Sequence, residues 1–267
     1  MFSKEDIHRL QMIQFYKEFH FPLDKIAIIL EGSEKNRMEM MSIQLLEIQE
    51  QMRKYERIEK MLQAALCCQC SLPVQDKKET GTVVIGLDLQ NDIKEGGALP
   101  CKRFYTLFQP LQNFYHRIRE LQIPIIYLCD SHQRGKDKEL EIWCDHMIEG
   151  TYGEKIIDEL TPEKQDYVLK KRFFNGFVQT GLQKLLIDLK ASRLIFTGWR
   201  THVCVAQTAI EAFHRNYQVL IAVDGVNSTT RQEHEFGIGL MGANYGFEMY
   251  TCKELLEMLE KEQQLSS

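Results

Sequence analysis

The apolar positions of this chain follow one rule before residue 67 and another after residue 81. Over residues 4–66 they recur at helical spacing among Glu, Gln, Lys and Arg. Ser3, with Asp6 three positions on, predicts a capped start for a helix from Lys4 to Phe19. Pro22 opens a short second helix, Leu23 to Leu30, and Glu31-Gly32-Ser33 closes it. A third runs from Glu34 to Leu66, in which Met41, Leu45, Ile48, Met52, Tyr55, Ile58 and Leu62 step by four and three. This a/d seam either packs within its own domain or pairs two copies of the chain. A stripe so narrow on so long a helix points to a homodimer formed through residues 34–66. Residues 67–81, Cys67-Cys68-Gln69-Cys70 through Thr80-Gly81, lose periodicity and gain charge, as a linker does.

From Thr82 onwards short apolar runs alternate with helical stretches: Thr82–Asp88, Pro124–Cys129, Tyr167–Lys170, Leu194–Gly198, Val219–Val223 and Glu248–Thr251. Unbroken rather than alternating hydrophobicity predicts strands buried on both faces. The expected fold is therefore α/β: a doubly wound six-stranded parallel sheet over residues 82–267, preceded by an all-helical dimerisation module at residues 1–66. Chemistry in such sheets sits beyond the carboxyl ends of the strands. Asp88 closes the first run, Lys171 follows the third, and Cys204 comes shortly after the fourth. Lys253 to Gln264 reads as a charged terminal helix, Asp224 as a turn residue, and His214 and His234 as surface groups.

Composition narrows the setting. A net charge of −5 over 267 residues exerts no general pull on nucleic acid or anionic membrane. No apolar run approaches the roughly 18 residues that span a bilayer, and the first residues carry no signal-peptide pattern. The expectation is a cytoplasmic protein with no membrane partner. Its eight cysteines are too irregular for a disulfide scaffold and read as free thiols, metal ligands or a nucleophile.

Cys204 lies in Thr197-Gly198-Trp199-Arg200-Thr201-His202-Val203-Cys204-Val205-Ala206, a strand end, a tight loop and a helix start. Free N–H groups and the helix dipole there stabilise a thiolate and can hold an oxyanion. A cysteine in such a place is more often a small core residue, so the reading needs partners. Asp88, in Gly86-Leu87-Asp88-Leu89-Gln90-Asn91-Asp92, ends a buried strand, where a carboxylate is costly unless paired. Lys171 can supply the opposite charge. Together they form either a structural ion pair beside a core thiol or a Cys–Asp–Lys site.

These residues resemble the isochorismatase-like cysteine hydrolases, the group containing nicotinamidases and related amidases, over residues 82–255. Asp88-Leu89-Gln90-Asn91-Asp92 is similar to the family's Asp-x-Gln-x-Asp block. Lys171-Arg172-Phe173-Phe174-Asn175-Gly176-Phe177 with Thr180-Gly181-Leu182 is similar to the block carrying its catalytic Lys, with Asn175 for the usual Ser. Thr197-Gly198 through Cys204-Val205 is similar to its nucleophile block, with Trp199 for the usual Val. The resemblance implies Cys204 as nucleophile, Asp88 as base and Lys171 as its partner, Lys170 being one residue out of register. It also implies a cis peptide at Trp199–Arg200, an oxyanion hole from the N–H groups of Arg200 and Cys204, and a larger residue at Arg200 than most relatives carry. Members that cleave a vinyl ether lack the cysteine, so Cys204 points to hydrolysis of a C–N bond in a small amide.

Asp130-Ser131-His132 and His146 supply one carboxylate and two imidazoles, donors that zinc, iron and manganese accept. The same residues read equally as surface or capping groups. Resemblance to metal-dependent nicotinamidases implies one divalent ion (Zn, Fe or Mn) on Asp130, His132 and His146, with Trp143 and Ile93 lining the substrate pocket. The additional histidine of many relatives is missing from Gln133 to Glu139, and Ile93 stands where many nicotinamidases have Phe.

Phe2 to Leu10 and Phe21-Pro22-Leu23-Asp24-Lys25-Ile26 resemble the second half of a MerR-type transcription regulator and its dimerisation helix. That family's helix-turn-helix would lie before Met1, so DNA is a partner only if one stands upstream. Met1 to Thr80 holds 12 basic and 13 acidic residues and lacks a DNA-binding footprint. The rival functional reading is a regulator whose hydrolase-like domain senses a ligand, with Cys67, Cys68 and Cys70 placed where metal-sensing members carry thiols.

Overall fold

The structure is a computed structural model that describes residues 4–19, 21–67 and 81–266. It divides the chain into two compact units, Met1–Asp76 and Lys77–Ser267. Ser3, and Cys68 to Thr80 of the expected linker, lie outside the described residues.

The first unit consists of α1 (Lys4–Glu18), α2 (Leu23–Glu31) and α3 (Glu34–Cys67). Its small core is Tyr16, Phe21, Ile26 and Ile29, with Met12, Ile13, Leu30 and Met40 packed around them. Gln44 on α3 donates to the Phe19 carbonyl (3.2 Å), which pins the long helix to the α1–α2 turn. Met41, Leu45, Met52 and Tyr55 of the expected seam are exposed in the single chain. The side chains of Ile58 and Leu62 lie outside the described residues.

The second unit is a six-stranded parallel sheet in the order β3-β2-β1-β4-β5-β6. Its strands are β1 (Gly81–Leu87), β2 (Ile125–Asp130), β3 (Tyr167–Lys171), β4 (Ala191–Trp199), β5 (Gln218–Asn227) and β6 (Glu248–Tyr250). Alternate side chains feed two separate layers, because successive residues of a strand point to opposite faces. Val84, Ile125, Tyr127, Ile195 and Leu220 pack under α4 (Phe108–Glu120) and α9 (Cys252–Ser266). Val83, Ile85, Ile126, Leu194, Phe196 and Ile221 pack under α6 (Leu182–Asp188), α7 (Ala206–His214) and α8 (Arg231–Tyr245). Each large side chain buried in this way is worth ~1.5–3 kcal/mol, so the two apolar layers make the sheet a stiff platform.

Burial on both faces holds for the central strands and fails at the edges. Tyr167 and Val168 on β3 and Glu248 on β6 are exposed, because an edge strand has a neighbour on one side only. Asp224 does not make a turn: it lies within β5, and its carboxylate accepts from the Cys252 N–H (2.7 Å) at the start of α9. The terminal helix is charged on one side only, since Cys252, Leu255 and Leu259 are buried. His214 is exposed as expected, but His234 is half-buried and bonded to Thr201 (2.9 Å). Among the described residues no helix is long and apolar enough to cross a membrane.

The strand order reverses between β1 and β4, which opens a crevice at their carboxyl ends. Asp88 and the segment after Trp199 both face that point.

Candidate active site

Asp88 follows β1 directly and adopts φ +50°, a left-handed conformation that Asp tolerates better than most residues. Lys171 is the last residue of β3, and strand alternation decides between the two lysines. Lys170 points outward to Glu154 (2.7 Å), whereas Lys171 is buried. Its Nζ donates to Asp130 Oδ1, lies 3.1 Å from Asp88 Oδ1 and 3.7 Å from Cys204 Sγ. The Asp88 approach is an ion pair outside hydrogen-bond angles, so Asp88 Oδ1 has no hydrogen-bond partner among the described residues.

Cys204 is brought there by the end of β4. At Gly198, φ is +108° and a Cβ would stand 2.1 Å from the Leu87 carbonyl oxygen, so only glycine lets β4 pass β1 so closely. The Trp199–Arg200 peptide is cis, as the resemblance implied. The helical run then begins earlier than the sequence suggests: a π turn over Thr201–Val205 precedes α7 and places Cys204 in its wide first turn. Thr208 donates to the Cys204 carbonyl (2.7 Å) and accepts from the Gly176 N–H (2.9 Å), tying the turn that holds Cys204 to the loop after Lys171.

The electrostatics follow from burial. Desolvation, then repulsion from Asp130, raises Asp88 to about 7, against the opposing pull of Lys171 and the Cys204 thiol. Burial, then the Asp88 carboxylate, pushes the Cys204 thiol up, while Lys171 opposes both. Burial alone would lower Lys171, but Asp130 and Asp88 outweigh it and hold the ammonium charged. Asp130 ends below its ordinary value, because Lys171 and His132 outweigh its desolvation. Two carboxylates, one ammonium and one thiol thus share one buried site, in which the charge of each bears on the titration of the others.

A cleft opens onto Cys204 and Asp88, with Ile93, Trp143, Phe174, Trp199 and Arg200 among its walls. The two predicted pocket residues, Ile93 and Trp143, are therefore beside the thiol. Phe174 and Trp199 were not singled out as pocket residues beforehand.

Asp130, His132 and His146 converge as the sequence suggested, and Glu139, the first residue of α5 (Glu139–Trp143), joins them. Glu139 Oε1 lies 3.6 Å from His146 Nε2 and 3.9 Å from His132 Nε2, in the stretch where the additional histidine of relatives is missing. His132 Nδ1 faces Asp137 (3.3 Å) and His146 Nδ1 faces the Cys144 carbonyl (2.8 Å), which turns both Nε2 atoms towards the carboxylates. His132 Nε2 is buried and has no hydrogen-bond partner among the described residues. An orphaned imidazole nitrogen beside two carboxylates and a second imidazole fits a divalent ion.

The first motif also supplies scaffolding that the sequence reading did not assign. Gln90 grips Asp130 from both sides, accepting from its N–H (2.8 Å) and donating to its carbonyl (2.7 Å). Asp92 accepts from the N–H groups of Met147 and Ala98, which fixes the chain next to His146. A glutamine and a second aspartate at fixed offsets from Asp88 were the only available signal.

The isochorismatase domain model matches residues 82–252, leaving α1–α3 outside the match. An isochorismatase of Bacillus subtilis (strain 168) is 29% identical over 179 residues, 65% of this chain and 56% of that protein. The chain thus spans little more than half the length of that relative. An isochorismatase-like hydrolase from Alkaliphilus metalliredigens has a similar structure, with TM-score 0.63 and 26% identity over 66% of this chain and 98% of that one. N-carbamoylsarcosine amidase from Thermoplasma acidophilum gives TM-score 0.60 and 26% identity over 64% of this chain and 96% of that one.

Proposed function

The chain belongs to the isochorismatase domain family, and from that premise and the geometry of the site we propose that it hydrolyses a C–N bond of a small amide, with Cys204 as nucleophile. One observation carries the reading: a thiol in the first turn of a helix, a carboxylate of raised pKa and an ammonium, the last two at strand ends, share one buried site. Asp88 takes the thiol proton, and Lys171 offsets the negative charge on Asp88 and the developing thiolate. The thiolate adds to the amide carbonyl, whose oxygen is received by the N–H groups of Arg200 and Cys204. Asp88 returns the proton to the leaving nitrogen, then deprotonates the water that cleaves the thioester. Asp130, His132, Glu139 and His146 would hold a divalent ion, which when bound supplies a Lewis-acid contact for a substrate donor atom. Nicotinamide is one substrate to test; similarity to the N-carbamoylsarcosine amidase adds carbamoyl compounds to the set.

The test is ammonia release from nicotinamide, pyrazinamide and carbamoyl compounds, with and without chelator. Turnover of at least one amide is expected. Tight binding of an amide without any turnover would favour the ligand-sensing reading instead.

The acid limb of the rate profile provides a second check. Asp88 must be ionised to act as a base, so kcat/KM of the metal-free enzyme should rise about tenfold per pH unit below about 7 and level off above it. Asp88→Asn should reduce turnover to background at every pH; full activity in that variant removes Asp88 from the mechanism. A third check is metal content after dialysis against zinc. His132→Ala should weaken binding by ~100-fold or more, since it removes an inward-facing ligand nitrogen, and undiminished zinc in that variant rejects the metal site.

The first unit fits a dimerisation module through residues 34–66, supported by the exposed stripe Met41, Leu45, Met52 and Tyr55.

A further inference from the structure

Arg200 is an exception among the arginines of residues 81–266. Each of the other eight gives its guanidinium a partner: Arg103 to Asn227, Arg119 to Asp166, Arg134 to Asp145, Arg172 to Asp137, Arg193 to Glu262, and Arg117, Arg215 and Arg231 to glutamates on or near their own helices. The Arg200 guanidinium makes no hydrogen bond and no ion pair with any described residue. Yet the residue is half-buried and forms part of the wall of the Cys204 cleft. Its guanidinium carbon lies over the Trp143 ring, 4.1 Å from the centre. A cation–π contact of this kind holds the guanidinium in place without supplying an oxygen acceptor for its N–H donors.

No acidic side chain of the cleft is available to be that acceptor. Asp88 and Asp130 face Lys171, and Glu139 faces His132 and His146. A half-buried guanidinium with unused donors is matched by a carboxylate, which it can engage with two parallel hydrogen bonds. The Trp143 face occupied by Arg200 is correspondingly closed to a flat neutral ring, and Ile93 offers no aromatic surface in its place.

We infer that Arg200 is a specificity-determining residue that receives a carboxylate of the substrate, so that the preferred substrates are small amides or carbamoyl compounds carrying a negative charge. The inference rests on the amidase reading above and names its substrate class. Trp143 acts through Arg200 as a positioning residue.

Matched pairs test it: N-carbamoylglycine against N-carbamoylglycinamide, and succinamate against succinamide, followed by ammonia release. The wild type is expected to prefer the anionic member by at least ~10-fold in kcat/KM, the worth of a charge-assisted hydrogen bond. Arg200→Gln should remove that preference, mainly through KM, and Arg200→Lys should keep part of it. Equal or better turnover of the neutral members, or an unchanged ratio in Arg200→Gln, overturns the assignment while leaving the amidase reading intact. Calorimetric binding of the same pairs to Cys204→Ser protein separates the two claims. Anion-selective binding that disappears with Arg200→Gln, in a protein whose wild type releases no ammonia, supports the anion site and overturns the amidase. Absence of anion selectivity in both binding and turnover overturns the anion site.

Discussion

Cys204→Ala protein is expected to release no ammonia from an amide that the wild type hydrolyses, a loss of at least ~10³-fold in kcat that leaves only what binding and the oxyanion donors can do. The expectation follows from the surroundings of Cys204. A merely structural thiol, buried at 5% exposure, could be replaced by alanine for the cost of one small cavity. Its sulfur, however, lies 3.7 Å from the Lys171 ammonium and within 4.8 Å of the carboxylates of Asp88 and Asp130. The thiol is pushed up by burial and by Asp88, so it ionises only when its proton has somewhere to go. Asp88, at about 7, is the acceptor matched to that task near neutral pH. The variant should fold and bind its amide, as judged by its melting temperature and by calorimetry. Retained turnover would return Cys204 to the core and leave the chemistry to other groups.

The second large effect belongs to Lys171→Met, which should lose both activity and stability. The methionine fits the space, but it leaves Asp88 and Asp130, both nearly fully buried, without the cation between them. Breaking a buried charge cluster in this way typically costs ~3–5 kcal/mol. For a unit of this size that is a fall in melting temperature on the order of 10 °C. The pH dependence has a definite sign. Asp88 already has a folded-state pKa above its unfolded value, so the folded protein holds that proton more tightly, and stability declines as pH rises from about 3.8 towards about 7. Without Lys171 the folded-state value of Asp88 rises further, and that of Asp130 rises from its lowered position. The deficit of the variant should therefore be smaller at pH 5 than at pH 8, by thermal denaturation at each pH. Lys170→Met is the control: that side chain is exposed and pairs with Glu154, so the variant should change stability by less than ~1 kcal/mol. Equal losses at the two positions would reject the role assigned to Lys171.

The sequence alone determined the class of fold and singled out Cys204 as the candidate nucleophile. Unbroken apolar runs separated by helical stretches admit little but a parallel sheet covered on both faces, and six such runs became six strands. The Asp88, Lys171 and Cys204 blocks carry their own local logic, each a titratable residue at the end of a strand or in the turn that follows it. Contacts made across long stretches of chain were not legible. Glu139 is one acidic residue among many, and its place between His132 and His146 depends on the path of the loop between β2 and β3. Gln90 reads as an ordinary polar residue until β1 and β2 are set side by side and it grips Asp130. Edge exposure of β3 depends on strand order, which local periodicity does not encode. Around Cys204 the sequence provided a thiol, a base and a cation. Only the tertiary structure showed that the Arg200 guanidinium, in the wall of the same cleft, has no hydrogen-bond or ion-pair partner among the described residues, because a pairing or its absence is settled by which side chains the folded sheet brings within reach.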